Sequence, residues 1–232
     1  MITESGPGTV PVIAIDGPLG SGKGTISMGL ATRLGWHFLD SGALYRLVAI
    51  AVMEAGIDDE DTQAITEIAQ QLDFEFRNEG GEPVPMLEGR DVSGALRTQE
   101  VSSMASKVAA IAHVRAAIVG RQRAFLRPPG LVADGRDMGT VIFPEARLKI
   151  FLTADVRTRA MRRYKQLKEK GESVNLSRLF REIEDRDRRD TTRAVAPLKP
   201  AEDAIIIDSS NMSINDVLQE IDKLVEKEFS TG

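Results

Sequence analysis

The spacing of apolar and polar positions changes several times along the chain, and each change marks an element. The apolar stretch Val12 to Asp16 reads as a buried strand, and Gly22 to Leu34 as the helix that follows it. "WHFLD" (36–40) is a second short strand, followed by a helical stretch from Ser41 to about Ala55. A polar segment, "GIDDEDTQ", precedes another helix that reaches Leu72. The period then shortens to two. "DFEFRNEGGEPVPMLEGRDVSG" alternates and carries Gly-Gly and two prolines, which predicts a small antiparallel β insertion. Helical spacing returns from about Gln99 to Arg127 and stops at "PPG". Three more apolar runs predict strands: "LVAD" (131–134), "RLKIFLT" (147–153) and "AIIID" (204–208). Arg-rich amphipathic helices lie between the last two, and Ile214 to Glu228 reads as a closing helix.

Strands that alternate with helices imply a parallel sheet covered on both faces, with ligands at the carboxyl ends of its strands. The 232 residues provide for one α/β core with small insertions. A hydrophobic fraction of 42% beside 28% charged residues excludes a disordered chain. The longest purely apolar run, Leu47 to Met53, is far too short to span a membrane. The N-terminal "MITESGPGTV" lacks the features of a secretory signal, and the absence of cysteine removes disulfides, thiolate metal sites and thiol nucleophiles. These features predict a cytoplasmic chain with no membrane partner. No repeat, low-complexity tract or linker divides it, so residues 1–232 are expected to form a single domain.

Charge alters the picture only locally. The net charge of −5 argues against general nucleic-acid binding. From Arg157 to Arg193, however, thirteen Lys or Arg stand against seven Asp or Glu. Tyr164 and Phe180 are the aromatic residues of that segment, too few to stack a nucleic-acid strand, so a compact anion is the expected partner.

The chemistry begins at "GPLGSGKGT", residues Gly17, Pro18, Leu19, Gly20, Ser21, Gly22, Lys23, Gly24 and Thr25. Between a predicted strand and a predicted helix, this is a phosphate-binding loop: glycines let backbone N–H groups point inward, the helix N-terminus adds partial positive charge, and Lys23 reaches the β and γ phosphates. Gly24 stands where a hydroxyl normally reaches a metal ion. "GKGT" resembles nucleoside monophosphate kinases, which implies Mg²⁺ held largely by phosphates and water, with Thr25 available to a phosphate oxygen.

A phosphoryl transfer also needs an acceptor site. In "LDSGALYR" (39–46), Asp40 and Ser41 fall at a strand end, Ser41 could cap the next helix, and Arg46 lies one and a half turns in; alone, this reads first as a capped helix with a surface arginine. In "LVADGRDMGTVIFP", Asp134 closes a strand and could meet the water shell of a metal, while Arg136 and Asp137 follow on a loop where solvated charges are ordinary. In "EIEDRDRRDTTRAVAPLKP", Arg186, Asp190 and Arg193 share one helical face, which fits either a salt-bridged solvent helix or a set of phosphate-binding guanidiniums.

Taken in order, "IDGPLGSGKGT", "GWHFLDSGALYR", "DVSGALRTQEVSSMASKVA", "VRAAIVGRQRAF", "GLVADGRDMGTVIFP" and "RDTTRAVAPL" resemble the bacterial cytidylate (CMP/dCMP) kinase family, with matching blocks from about residue 12 to 229. The resemblance implies a P-loop NTPase fold with a five-stranded parallel sheet covered by helices on both faces. Its core would span about 10–40, 128–157 and 194–229, its acceptor region with the β insertion about 41–127, and its helical lid about 158–175. It implies that Ser106, Arg115 and Asp137 read the cytosine edge and that Arg186 and Asp190 contact the sugar. Arg46, Arg136 and Arg193 would hold the acceptor phosphate, with Asp40 and Ser41 lining the site. Arg162 and Arg163 would reach ATP from the lid, and Lys23, Arg136, Arg186 and Arg193 would carry catalysis. Cytosine offers an amine where uracil has a carbonyl, so a carboxylate such as Asp137 suits the former. The expected reaction is phosphorylation of CMP or dCMP by ATP·Mg²⁺, by a monomer. Its rivals are a P-loop kinase acting on UMP, AMP or a small metabolite, and more remotely a nucleotide switch or nucleic-acid binder. A guanine-binding switch would need N-K-x-D, and Asn78, Asn175, Asn211 and Asn215 are not followed by Lys.

Overall fold

The computed structural model describes residues 10–79, 82–169, 171 and 173–229. In chain order the elements are β1 (Val12–Asp16), α1 (Lys23–Leu34), β2 (His37–Asp40), α2 (Ser41–Glu54), α3 (Thr62–Gln71), β3 (Phe74–Glu79), β4 (Glu82–Leu87), β5 (Arg90–Asp91), α4 (Ser93–Leu96), α5 (Gln99–Val108) and α6 (Ala112–Arg123). There follow β6 (Leu131–Gly135), a π-type turn over Met138–Ile142, β7 (Leu148–Thr153), α7 (Val156–Glu169), α8 (Leu176–Thr192), β8 (Ile205–Asp208) and α9 (Ile214–Phe229).

Two compact units result: residues up to Asp40 together with those from Arg123 onward, and Ser41–Gln122. The first holds the five-stranded sheet, in the order β2-β6-β1-β7-β8, every pairing parallel. β1 and β6 are buried along their whole length, so both faces of the sheet's centre are dry, as a parallel sheet requires. On one face Ile13, Ile15, Val132, Ile150 and Leu152 pack against Ile26 and Leu30 of α1 and Val217, Leu218 and Ile221 of α9. Each such side chain contributes about 1.5–3 kcal/mol through burial. The packing fixes α1 along the sheet with its N-terminus just beyond β1. β8 is an edge strand: Ile207 is buried while Ile205 and Ile206 are exposed, so its apolar run does not mean two-sided burial.

The second unit is organised by α2, whose long apolar run packs against α5, α3 and α4. The β insertion is antiparallel, with β4 central between β3 and β5; Phe74 pairs with Leu87 and Phe76 with Pro85. Arg121 of α6 anchors it, lying over the Phe74 ring at 5.2 Å and donating to the carbonyls of Gln70 and Leu72. Its Gly-Gly tip, residues 80 and 81, lies outside the described residues.

Candidate active site

The phosphate loop joins β1 to α1. A Cβ at Gly17 would overlap the carbonyl oxygen of Leu152 on β7, so the chain can leave β1 this closely only as glycine. Gly22, at φ 94°, caps α1 in the left-handed region. The loop's carbonyls are held from outside. The Leu19 carbonyl accepts from Arg159 Nη1 at 3.0 Å, and the Ser21 carbonyl accepts from Arg162 Nη1 and Ser209 Oγ, both at 3.2 Å. A loop with its carbonyls satisfied by donors outside it is prepared to turn N–H groups toward an anion. Arg159 is almost wholly buried; it also donates to the Ala154 carbonyl and makes a bidentate pair with Asp187 of α8 at 2.5 and 3.0 Å. Neither Arg159 nor Asp187 stands out in the sequence, where both merge into a run of charges.

Lys23 is buried, donates to the Pro18 carbonyl at 3.2 Å, and lies 3.9 Å from Asp134 at the end of β6. Burial and the nearby Arg136 push its pKa down to about 7 against the opposing pull of Asp134. A Cβ at Gly24 would stand 3.3 Å from Asp134 Oδ2, so the glycine keeps that carboxylate uncrowded.

Beyond β6 the chain presents Arg136 and Asp137. Arg136 Nε donates to Asp190 of α8 at 3.0 Å, and Arg186 Nε lies 3.9 Å from the same oxygen. Arg193, the residue that ends α8, lies 3.8 Å from Asp137 and donates through Nε to the Ala196 carbonyl at 2.6 Å. Asp137 and Asp190 are both buried. Burial raises the Asp190 pKa, but Arg136, Arg186 and Arg193 outweigh it and hold the carboxyl below its ordinary range. The shared face predicted for Arg186, Asp190 and Arg193 therefore turns inward rather than to solvent. Each guanidinium has an atom within 3.9 Å of the Asp137 or Asp190 carboxylate, a costly arrangement unless further anions arrive.

Asp16, at the end of β1, carries no mark in the sequence that would single it out. Burial pushes its carboxyl up to about 7, although the backbone N–H groups of Met138 and Gly139 both bond to it. Of the residues expected on the lid, Arg162 donates to the Ser21 carbonyl, to Ser209 and to the Met212 carbonyl, whereas Arg163 meets Gln166. The segment expected to form the lid is thus tied to the loop through Arg159 and Arg162. A cavity of about 550 Å³ opens beside the phosphate loop, lined by apolar Ile26, Met212, Ile214 and Val217 and by Arg162 and Arg163. Asp40 closes β2 in this unit.

In the second unit, Ser41 is the first residue of α2 rather than a capping residue before it. Its buried Oγ accepts from Gln122 Nε2 at 2.8 Å. Arg46 follows on the same helix, and buried Ser106 sits on α5. Arg115 on α6 is also buried, lies over the Tyr45 ring at 5.5 Å and donates to the Ala109 carbonyl. These interactions organise α2 and α6 within the unit.

The cytidylate kinase family model matches residues 13–227. The chain belongs to the cytidylate kinase family. Among relatives in that family, the cytidylate kinase of Stutzerimonas stutzeri is 58% identical over 214 residues, covering 91% of this chain and 93% of the relative. Those of Aeromonas hydrophila and Pseudomonas aeruginosa are each 54% identical, covering 91% and 95% of this chain and 92% and 97% of the relatives. Cytidylate kinase family membership thus spans both compact units. Among the described residues, no helix is long and apolar enough to cross a membrane.

Proposed function

We propose that the chain transfers the γ-phosphoryl group of ATP to the phosphate of CMP or dCMP, giving ADP and CDP or dCDP. The observation that carries this reading is the half-buried cluster of Arg136, Arg186 and Arg193 around the buried carboxylates of Asp137 and Asp190, in the same unit as a phosphate loop with a buried lysine. Two anion-directed groups of this kind suit donor and acceptor phosphates, and the family supplies the acceptor's identity.

On this reading residues Gly17 to Thr25 hold the donor phosphates, and Lys23 stabilises the oxygens that gain charge. The cavity lined by Ile26, Met212 and Ile214 takes the donor base, with Arg162 and Arg163 beside it. Arg136 and Arg193, with Arg46, hold the acceptor phosphate; Arg186 and Asp190 hold its sugar; Ser106, Arg115 and Asp137 read cytosine; Asp40 and Ser41 line the acceptor site. The acceptor phosphate is already anionic near neutral pH, so no general base is needed and catalysis rests on positioning and charge. Unit Ser41–Gln122 is the acceptor region, and residues 158–175 form a lid that excludes water from the transfer.

Among the described residues no group of three or more Asp, Glu, His or Cys is gathered to cage an ion, while Asp134 offers a buried carboxylate beside Lys23 and Gly24. That donor set fits Mg²⁺ held mostly by phosphates and water, with Asp134 reaching its water shell. The bound ion supplies charge neutralisation on the transferring group. The enzyme acts as a cytoplasmic monomer.

A coupled ATP assay across CMP, dCMP, UMP, AMP and GMP tests the assignment. CMP and dCMP should lead; a preference for AMP would overturn the base-reading role of Asp137.

A further inference from the structure

Asp16 closes β1 and immediately precedes Gly17, so it stands at the root of the phosphate loop. It is 5% exposed, and its two oxygens take one backbone N–H each: Met138 donates to Oδ1 and Gly139 to Oδ2, both at 2.8 Å. With the carboxyl ionised, above its pKa of about 7, such bonds are roughly twice as strong as neutral ones. Both donors belong to the segment that follows Arg136 and Asp137, at the start of the π-type turn. That segment lies close against the carboxylate, since a Cβ at Gly139 would come 3.5 Å from Asp16 Oδ2 and 3.2 Å from Lys149. Burying a carboxylate is costly, and a lone hydrophobic residue at this place would serve the sheet better. What Asp16 adds is a fixed position for the main chain next to Arg136 and Asp137, referenced to the strand that carries the phosphate loop.

We propose that Asp16 is a positioning residue for acceptor recognition, locking the main chain at 138–139 so that Arg136 and Asp137 are presented in register with the phosphate loop. The proposal rests on the reading of the enzyme as a CMP kinase. The two are separable because the parent enzyme is assayed first: if it does not prefer CMP, that reading fails without reference to Asp16.

The test is Asp16→Asn, which keeps the size of the side chain but turns an amide NH₂ toward one of the two N–H donors. In the substrate panel, kcat/KM for CMP should fall about tenfold to hundredfold, the loss of one to two charge-assisted bonds. The loss should be carried by the KM for CMP, while the KM for ATP stays within about twofold, and the preference for CMP over UMP should narrow. In the ligand-free variant the Met138 and Gly139 amide proton resonances should move upfield as their bonds weaken. A lowered Tm with unchanged KM for CMP and unchanged selectivity would reduce Asp16 to a structural brace and overturn the proposal. So would equal losses for ATP and CMP. Should Asp16→Asn fail to fold, Asp16→Ser, which is smaller and leaves one oxygen to accept from the two N–H groups, takes its place; it must then raise the KM for CMP selectively, and an unchanged value overturns the proposal.

Discussion

The phosphate loop and the arginine cluster lie in one unit and both are, on the proposed reading, anion sites, yet they are made of different material. The loop is main chain, shaped by Gly17, Gly20 and Gly22 and braced by Arg159, Arg162 and Ser209 bonding to its carbonyls. The cluster is side chain, drawn from the loop after β6 and from α8 and its end, and braced by Asp137 and Asp190. Backbone N–H groups are alike in every residue, so a main-chain site reads charge and little else. A side-chain site can carry identity, because the same carboxylates that aim guanidiniums can also accept from a sugar or a base.

Two substitutions break this contrast from either side. Lys23→Met removes the loop's own charged side chain, and kcat should fall by about a thousandfold. Circular dichroism and the KM for CMP should remain near those of the parent; a steady-state rate that survived would overturn the role given to the loop. Arg193→Lys should cost less, because the charge stays while the planar fork and its Nε bond to the Ala196 carbonyl are lost. A fall of about a hundredfold in kcat/KM for CMP, with an unchanged KM for ATP, is expected. If the ATP KM moved as far as the CMP KM, the two anion sites would not be distinct.

The same contrast separates what is legible in the residue order from what is not. Every strand of the parallel sheet and the β insertion follows from hydrophobic period, and the donor loop from glycine spacing. These are local properties, complete within about ten residues. The cluster is not local: Arg136 and Asp190 meet across 54 positions, and each alone fits a solvated loop or a salt-bridged helix. Family resemblance singles them out as candidates where periodicity cannot. Asp16 and Arg159 escape even that. Asp16 closes an ordinary strand, and its partners are backbone N–H groups, which leave no trace in residue types. Arg159 sits in a run of arginines, and its burial is decided by tertiary packing. Ser41, which its place before a helix marks as a possible cap, accepts from Gln122, a partner that local spacing cannot supply.

A smaller effect links Lys23 to pH. In the free enzyme its pKa lies near 7, because burial and Arg136 disfavour the charge. Donor phosphates favour the charge, so the pKa rises on binding and the complex holds more protons than the free enzyme above about pH 7. ATP affinity is then greatest below the free-enzyme value and falls as pH rises through it, by up to about tenfold per unit until the pKa of the complex is reached. Calorimetry at about pH 8, where the nucleotide's phosphates are already ionised, should show proton uptake in buffers of differing ionisation enthalpy. Lys23→Met should bind ATP without that uptake. Uptake that persisted in the variant would place the titrating group elsewhere.

The smallest effect concerns Gly24, where adding a hydroxyl looks like a repair. An ordinary phosphate loop uses a Ser or Thr there to reach the metal. Here a Cβ at that place would press to 3.3 Å from Asp134 Oδ2, while the other oxygen of that carboxylate lies 3.9 Å from Lys23. A serine would either displace Asp134 or donate to it, and on the proposed reading both would withdraw the carboxylate from the water shell of Mg²⁺. Gly24→Ser should therefore slow turnover by roughly threefold to tenfold and raise the Mg²⁺ concentration needed for half-maximal rate, the scale of a mild overpacking. A faster enzyme with a lower Mg²⁺ requirement would mean that the ion prefers the hydroxyl, and that the metal is not held chiefly by phosphates and water.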